Sequence, residues 1–485
     1  MILVEECLKL IIMDKHVKSP SSTGCMKSIF SGLIICSALF TVFSTAQITD
    51  DQLYSKSLLI TDPEAIASLD PVLGNGRHEH FKSLITAFVG DQTKANTLME
   101  NWSNLWLTDQ TSPCEASPPD TLCKANMSSA RPDTGAALLE AWKNGNIELI
   151  GVISRVDLAR FNDQKQVTDQ GEFRLVYQLM TASPIGPVPQ DFTLILEFGL
   201  PEIDGVDLNQ SLKTWAGRWL ALASAAPADY AGLLQKLVNE MVVTGKLKQI
   251  RTNESIPPAA NAWEFRQFGF AENTLVQQDL PQNPMNSLRD WDDERILNMA
   301  KLHADQIVRG DFRFSDEVWG NYWGFSSNST NGESIDPWLR NKGILANENP
   351  RGYLIMAANT CDGCHNEILN KTNQHIRRLL KENTMITNLS GFLSGEVELN
   401  YVFKGGKPML GFAMPQCEDE ARHPEWCSIR TEGNLKYYSW NEKLMRIKKL
   451  QFFAEPDNCA PQSIEKAANK KTADFYFAPD NFRYH

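Results

Sequence analysis

Apolar and polar residues alternate along several short runs in the first half of the chain, and a spacing of two predicts β-strands. Three such runs are Ile147–Val156, Glu172–Met180 and Phe192–Phe198, with turn residues between them. Sequential strands with short connections pair antiparallel, so we expect an antiparallel sheet. Lys246–Thr252 and Ala262–Phe270 are strand-like as well.

Other segments place apolar residues three and four positions apart, which predicts helices. They run from about Phe81 to Trp106, Leu208 to Ser224, Tyr230 to Val243 and Asp290 to Arg309. Strand-like material is sparse after residue 350. The pattern therefore predicts an α+β N-terminal region with an antiparallel sheet, followed by a mainly α-helical C-terminal region.

Proline and asparagine are concentrated in Gln277–Ser287, which we interpret as a linker. The predicted organisation places an α+β domain at 47–280. A helical, Trp-rich connecting region follows at 281–349, and a chemistry-bearing region at 350–485. Residues 1–46 are interpreted as an upstream extension and a signal peptide.

The signal peptide rests on one apolar run, Ile29–Phe43, which follows Met26-Lys27 and precedes the small residues up to Ala46. This run is too short to span a bilayer comfortably, although an anchor or a buried strand is the alternative. We predict a start at Met26, cleavage near Ala46, a periplasmic or secreted protein, and no membrane span in the mature chain.

The formal net charge of the 485-residue chain is −12, and an acidic surface repels phosphate backbones, so we expect no nucleic-acid partner. Cleavage near Ala46 removes four lysines, three acidic residues and three of the ten cysteines. The mature chain then has 439 residues, seven cysteines and a charge of −13. In an oxidising compartment these cysteines should be bridged, bound or reactive.

The sequence Cys361-Asp362-Gly363-Cys364-His365 is a C-x-x-C-H motif, the attachment signature of c-type haem. The thiols of Cys361 and Cys364 would add to the two vinyl groups, and His365 would ligate the iron. A zinc site, a redox dithiol and a structural disulfide remain alternatives for the two cysteines. The C-terminal region is therefore predicted to be cytochrome c-like, with one haem c.

A haem often has a second axial ligand. Met414 is followed by Pro415 on a Gly-rich segment 50 residues after Cys364, as is typical of a distal thioether ligand. Met409 and His375 are the alternatives, and both methionines could instead fill a core.

The remaining cysteines suggest local bridges. Cys114 and Cys123 flank a loop with two prolines, and Cys417 and Cys427 flank a second polar loop. We predict a disulfide within each pair, and Cys459 is left without a predicted partner.

Paired charges recur in the strand-like segments. Strand adjacency should bring Arg155 and Asp157 close to Glu172 and Arg174. The segments Arg251–Glu254 and Trp263–Arg266 contain further paired charges. These charges could form a ligand pocket or structural ion pairs at strand ends. The tract His78-Glu79-His80 looks exposed and lacks a third ligand, so it is a weak metal site.

Several of these segments together resemble a family of large secreted bacterial proteins of undefined function that carry a single C-x-x-C-H, some described as lipoproteins or cytochrome-like proteins. The resemblance covers roughly residues 140–450 and implies a bacterial secreted protein with no established activity. After the motif, Glu367 and His375 fit the family's pattern, but its Thr and its aromatic residue before the His are absent here. The matching segments are Arg155–Ala159, Gly171–Tyr177, Arg251–Glu254, Trp263–Arg266, Asn359–His365 and Leu389–Leu393.

These observations predict a secreted or periplasmic monohaem c-type cytochrome that exchanges single electrons with a redox partner protein. If it is an enzyme, it is a haem-dependent oxidoreductase. Two alternatives stay open. One is a haem-free secreted binding or surface protein in which Cys361 and Cys364 form a disulfide or metal clamp, and the other is a thiol–disulfide oxidoreductase.

Overall fold

The fold is built on antiparallel strands with helices packed against them. The structure, a computed structural model, describes residues 48–73, 76–111, 127–162, 164–184, 186–255, 263–271, 274–278, 280–284, 302, 323–324, 326–329, 376–381, 384–394, 401–404, 407–409, 427–432 and 435–455. The described helices are Asp50–Leu53 (α1), Pro63–Leu69 (α2), His80–Val89 (α3), Gln92–Asn104 (α4), Pro132–Asn144 (α5), Leu208–Ala223 (α6), Pro227–Thr244 (α7), Gly391–Ser394 (α8) and Glu442–Ala454 (α9), with a π-helical turn at Tyr54–Leu58 and a 3-10 turn at Val156–Leu158.

The strands follow the alternating pattern of the sequence. They are Leu59–Ile60 (β1), Gln110–Thr111 (β2), Met127–Ser128 (β3), Ile147–Arg155 (β4), Arg160–Phe161 (β5), Val167–Asp169 (β6), Glu172–Thr181 (β7), Val188–Gly199 (β8), Lys246–Ser255 (β9), Trp263–Ala271 (β10), Thr274–Gln278 (β11), Leu280–Pro284 (β12), Trp323–Gly324 (β13), Ser326–Ser329 (β14), Ile376–Lys381 (β15), Thr384–Leu389 (β16), Tyr401–Lys404 (β17), Lys407–Met409 (β18), Cys427–Glu432 (β19) and Leu435–Trp440 (β20).

The central sheet has eight strands in the order β1–β4–β7–β8–β9–β10–β11, and β14 also pairs with β10. Each of these pairings is antiparallel. The predicted mixture of helices and antiparallel sheet is therefore confirmed. The five strand-like runs of the first half correspond to β4, β7, β8, β9 and β10.

Local sequence signals set the helix ends. The predicted helical stretch from Phe81 to Trp106 is two helices, because Gly90 ends α3 with a φ of +94° and the Asp91 side chain accepts a hydrogen bond from the Lys94 amide to begin α4. Asp207 caps α6 in the same way through the Gln210 amide, at 2.8 Å. Pro227 occupies the first turn of α7, where its missing N–H costs nothing.

One face of the sheet is apolar and is covered by α3, α4 and α5. Tyr177 of β7 packs edge-on against Phe81, whose ring also meets Trp142 edge-on. Further along the sheet, Phe268 of β10 meets Trp102 and Trp106 at ring-centroid distances of 5.4 and 5.5 Å. Burying these large rings supplies much of the apolar surface that stabilises this layer.

The opposite face of the sheet is covered by residues from much later in the chain. Ile376 at the start of β15 and Leu393 of α8 are buried in the same hydrophobic core as the sheet. Helix α9 packs against α6 and against the 3-10 turn, and the rings of Phe453 and Phe161 lie 5.7 Å apart. These late residues and the sheet thus share one hydrophobic core, and the domain boundaries at residues 280 and 350 stay predictions.

Two sequence interpretations differ from the structure. Residues 277–284 of the predicted linker lie largely in strands, and Gln277 is buried in β11, where its amide donates to the Ser128 hydroxyl at 2.9 Å. Within the described part of 350–485, six strands accompany two helices, so the expectation that strands are sparse is wrong there. In the sequence, Gly405-Gly406 stands between the paired strands β17 and β18, and Gly433-Asn434 stands between β19 and β20, and such dipeptides are hairpin signals.

Candidate functional site

The face of the sheet opposite α3–α5 carries charged side chains that are almost fully buried. Because side chains alternate along a strand, residues paired directly across neighbouring strands share a face. Arg174 of β7 is paired with Glu197 of β8, and Arg251 of β9 is paired with Ile195 of β8, two residues before Glu197. The three charged groups therefore meet on one face.

Glu197 is the centre of this group. Its Oε1 atom lies 3.3 Å from Nε of Arg174 and 3.1 Å from Nη1 of Arg251. Its Oε2 atom accepts a hydrogen bond from the Gln249 amide. Arg174 also donates from Nε to Glu172 Oε1 at 2.8 Å. Two buried guanidiniums share the Glu197 carboxylate, and Glu172 supplies the second negative charge, so the charges balance in a place that water reaches poorly.

A second set of buried charges continues from the sheet to α9. Arg155 donates to both carboxylate oxygens of Asp157, at 2.9 to 3.1 Å. Lys449 of α9 reaches the Asp157 carbonyl at 3.4 Å, and Arg446 donates to Glu442 Oε1 at 2.7 Å. Burial opposes ionisation of Asp157, but Arg155 and Arg446 hold the pKa of its carboxyl below the ordinary value.

A polar cleft of about 220 Å³ opens beside Arg174 and Glu197. Its walls come from the end of the 3-10 turn, the β6–β7 turn and strands β7, β8 and β9. The lining residues are Leu158, Arg160, Asp169, Gly171, Glu172, Arg174, Glu197, Lys248, Gln249 and Arg251. Arg174 also lines a smaller cavity of about 40 Å³ that reaches Ile376 and Arg446, so the cleft adjoins the region where the late chain segments cover the sheet.

Gly171 fixes the backbone at the rim of the cleft. It has a φ of +87°, and a Cβ atom there would lie 2.5 Å from the Arg155 carbonyl oxygen. Its amide donates to Asp169 Oδ1 at 2.9 Å, and Lys248 lies 3.2 Å from the other oxygen of the same carboxylate. Only glycine adopts this conformation without strain, so the rim geometry depends on it.

Glu172 stays ionised in this setting. Burial raises the energy of its charged form, but Arg174 and Lys248 outweigh that effect and hold the pKa of the carboxyl below its ordinary value. The cleft can therefore offer both cationic donors and ionised carboxylate acceptors at neutral pH.

A separate group of charges lies on the apolar face, at the end of β9 and β10. Arg266 donates to Glu264 Oε2 at 2.9 Å and Arg131 lies 2.6 Å from Glu254, while the Trp106 indole donates to Glu254 at 3.1 Å. Burial is the main reason that the pKa of Glu254 is raised. These residues bind one another, and we interpret the group as structural.

The His78-Glu79-His80 tract is not an exposed site, which corrects the sequence interpretation. His78 is buried, with Nδ1 3.1 Å from Asp70 Oδ2 and Nε2 3.8 Å from Glu148 Oε2. The His80 ring lies 2.8 Å from the Tyr177 hydroxyl. The two imidazoles have different partners. Among the residues that the structure describes, no group of three or more His, Cys, Asp or Glu side chains could hold a metal ion.

Most of the cysteine and haem-ligand predictions fall on residues outside the described part of the chain. These are Cys361, Cys364, His365, His375, Met414, Cys114, Cys123 and Cys417. Met409 ends β18 opposite Val402, and Cys427 begins β19 opposite Trp440. The haem and disulfide predictions thus stay predictions.

The predictions about paired charges fall on described residues. The expected meeting of Arg155 with Glu172 across neighbouring strands is confirmed by the register of β4 and β7. The sequence analysis missed Glu197, although an acid inside the apolar run Phe192–Phe198 is a signal for a buried ion pair. It also missed Glu442 and Arg446, whose spacing of four places them on one helix face.

Comparisons with known proteins do not add to these observations: no family model, no curated protein and no solved structure matches this chain. Within its described residues, the structure contains no helix with the length and apolar character needed to cross a membrane.

Proposed function

We propose that this protein is a secreted or periplasmic c-type cytochrome that carries one covalently attached haem and transfers single electrons to or from a partner protein. The observation that carries the proposal is the motif Cys361-Asp362-Gly363-Cys364-His365. Two thiols with two residues between them match the two vinyl groups of haem, and the adjacent imidazole can ligate iron. When bound, the haem would supply one-electron redox chemistry.

The chain close to the motif supports a role for the whole protein rather than for a separate haem domain. Ile376, eleven residues after His365, is buried against the sheet, and Arg378 forms a 2.8 Å ion pair with Glu148 of β4. The backbone of Arg378 donates to the Gln178 side chain of β7 at 2.6 Å. We propose that the large N-terminal region holds the haem-bearing segment close to the central sheet. We also propose that residues 350–485 form a cytochrome c-like region.

Expression of the full chain in a host with the c-type maturation machinery tests the proposal. We expect a Soret band that survives acid-acetone extraction and a mass increase of one haem. Cys361→Ala and Cys364→Ala should each prevent attachment through two thioethers. Cys459→Ala is the matched control, because Cys459 lies outside the motif, and it should retain the haem. A purified wild-type protein with no Soret band and no added mass would overturn the proposal.

A second candidate function is a haem-free secreted binding protein, and the polar cleft beside Glu197 favours it. In that case Cys361 and Cys364 form a disulfide or a metal clamp, and free-thiol and metal analysis of the purified protein distinguishes the two. A thiol–disulfide oxidoreductase instead predicts reduction of insulin that is lost in Cys364→Ser.

A further inference from the structure

The cleft beside Glu197 differs in charge from the rest of the chain. Its lining contains four cationic side chains, Arg160, Arg174, Lys248 and Arg251, and three acidic ones, Asp169, Glu172 and Glu197. The formal sum at this site is +1, whereas the whole chain carries −12. A locally cationic, partly enclosed cleft on an acidic protein concentrates small anions from solution.

The side chains are fixed before any ligand arrives. Arg174 and Glu197 are 4% and 1% exposed in their pair, and Arg251 is held by Glu197 and by Gln267, whose Oε1 accepts from Nε at 3.2 Å. Arg251 also lies over the Phe265 ring at 5.6 Å. Groups whose positions are already set by neighbours lose little conformational freedom on binding. The floor of the cleft is therefore preorganised.

The rim of the cleft, formed by Arg160 and Lys248, is more exposed to solvent than the floor, which is formed by the three buried charged residues named above. Arg160 is exposed, and Lys248, with a side chain 36% exposed, pairs only with the surface carboxylate of Asp169 among the contacts described. An ion pair that is so exposed to water contributes little to stability. Substitution of either residue leaves the buried Glu172 paired with Arg174, although Lys248 also helps to hold the pKa of Glu172 low.

Size limits the ligand. A volume of about 220 Å³ corresponds to about seven water molecules at roughly 30 Å³ each. Such a space is filled by a small organic acid.

We propose that this cleft binds a small organic acid that carries one carboxylate and a hydroxyl or amino group. The carboxylate would meet the cationic groups of Arg160, Lys248 and Arg251, and the hydroxyl or amino group would donate to the carboxylates of Asp169 and Glu172. The net charge of −1 on a hydroxy acid matches the formal sum of the lining, whereas an amino acid, which is a zwitterion at neutral pH, would pair its carboxylate with the cationic side chains and its ammonium group with the acidic ones. All the lining residues lie within 158–251, so binding does not depend on the proposed haem.

Titration calorimetry of the full-length protein, with chloride replacing the ligand at constant ionic strength, tests the assignment. The probes are glycolate and lactate, glycine and alanine, acetate as a carboxylate alone, and glycerol as a hydroxyl compound without charge. We expect saturable binding of the hydroxy acids or the amino acids, weaker binding of acetate and none of glycerol. A response to hydroxy acids alone or to amino acids alone identifies the second group of the ligand.

Rim variants make the test specific. Lys248→Gln and Arg160→Gln should each weaken binding about tenfold, as loss of one charge-assisted contact does. Lys248→Arg should bind nearly as the wild type does. Arg218→Gln removes a cation from the surface pair with Glu240, away from the cleft residues, and is the matched control. Absence of saturable binding by every acid, or equal affinity in Lys248→Gln, Arg160→Gln and wild type, would overturn the proposal.

Discussion

Arg174 and Glu197 lie directly opposite each other on β7 and β8, with Nε and Oε1 3.3 Å apart and both side chains almost fully buried. On the same face, Arg251 reaches the same carboxylate oxygen at 3.1 Å. One buried acid thus pairs with cations from the two strands that flank its own, and Glu172 supplies a second negative charge beside Arg174. Removal of that acid should be far more costly than removal of an exposed one.

We predict that Glu197→Gln lowers the free energy of unfolding by about 3–5 kcal/mol, because it leaves two buried guanidiniums without their shared negative charge. Chemical denaturation followed by circular dichroism measures the change. Glu240→Gln is the control, since Glu240 forms a surface pair with Arg218, both about 40% exposed. The control should cost less than about 1 kcal/mol. Equal losses in the two variants would contradict the central role of Glu197.

Gly171 gives a second prediction. Gly171→Ala should destabilise the protein by about 1–3 kcal/mol, because the φ of +87° strains an L-residue and the new Cβ would contact the Arg155 carbonyl. Gly217→Ala is the contrasting control. Gly217 lies inside α6 with open space around a Cβ atom, so alanine there should stabilise by about 0.5–1 kcal/mol. Thermal denaturation of both variants checks the sign of each effect.

Helix α9 should unfold together with the sheet rather than as part of a separate domain. Phe453→Ala removes a buried ring that meets Phe161 and should cost about 3–5 kcal/mol. Val243→Ala, at a side chain that is 82% exposed, should change stability by less than about 0.5 kcal/mol. Hydrogen exchange should show a common opening free energy for amides of β8 and α9, reduced equally by Phe453→Ala. Independent opening of α9 would contradict a shared core.

His78 and His80 should affect the pH dependence of stability in opposite directions. Burial disfavours the charged form of His78, but its hydrogen bond to Asp70 and the nearby Glu148 outweigh that effect and raise the pKa of His78, against which Arg378 acts. A raised pKa in the folded state gives stability that is present below the unfolded pKa and is lost as the pH rises through the folded pKa. Burial lowers the pKa of His80, so its contribution is present at high pH and is lost as the pH falls.

Denaturation of His78→Gln and His80→Gln from about pH 5.5 to about pH 8 tests this prediction, because the range brackets the ordinary histidine pKa. The stability difference between wild type and His78→Gln should shrink as the pH rises. The difference between wild type and His80→Gln should change in the opposite direction. Parallel pH profiles for the two variants would contradict the assignment of their partners.

If the haem proposal holds, the axial ligand can be identified by substitution. Met414→Ala should lower the reduction potential and change the visible spectrum, because thioether ligation raises the potential of a haem with a proximal His. Met409→Ala and His375→Ala should leave both unchanged. A redox titration of the three variants decides the matter, and a change in His375→Ala alone would indicate bis-His ligation instead.

The sequence by itself determined the five long strands of the N-terminal region and the helices α3, α4, α6 and α7, but not α2 or α5. The alternation in Glu172–Met180 and the spacing in Leu208–Ser224 predicted β7 and α6 well, because side-chain periodicity of two or about 3.6 residues is a local property. It also identified the paired charges around Arg155, Glu172 and Arg174, because arginine and glutamate inside strand-like runs are conspicuous. The haem motif, too, comes from the sequence alone.

Only the tertiary structure decided which of those charges meet. Glu254 and Arg266 lie on the apolar face with Trp106, whereas Arg174, Glu197 and Arg251 lie on the opposite face, and one residue of strand register separates the two outcomes. Ile376 and Arg446 reach that face from more than 100 residues further along the chain than Arg251. Local patterns carry no information about such distant contacts, since burial of a helix or a hairpin depends on the surface that the rest of the fold presents to it.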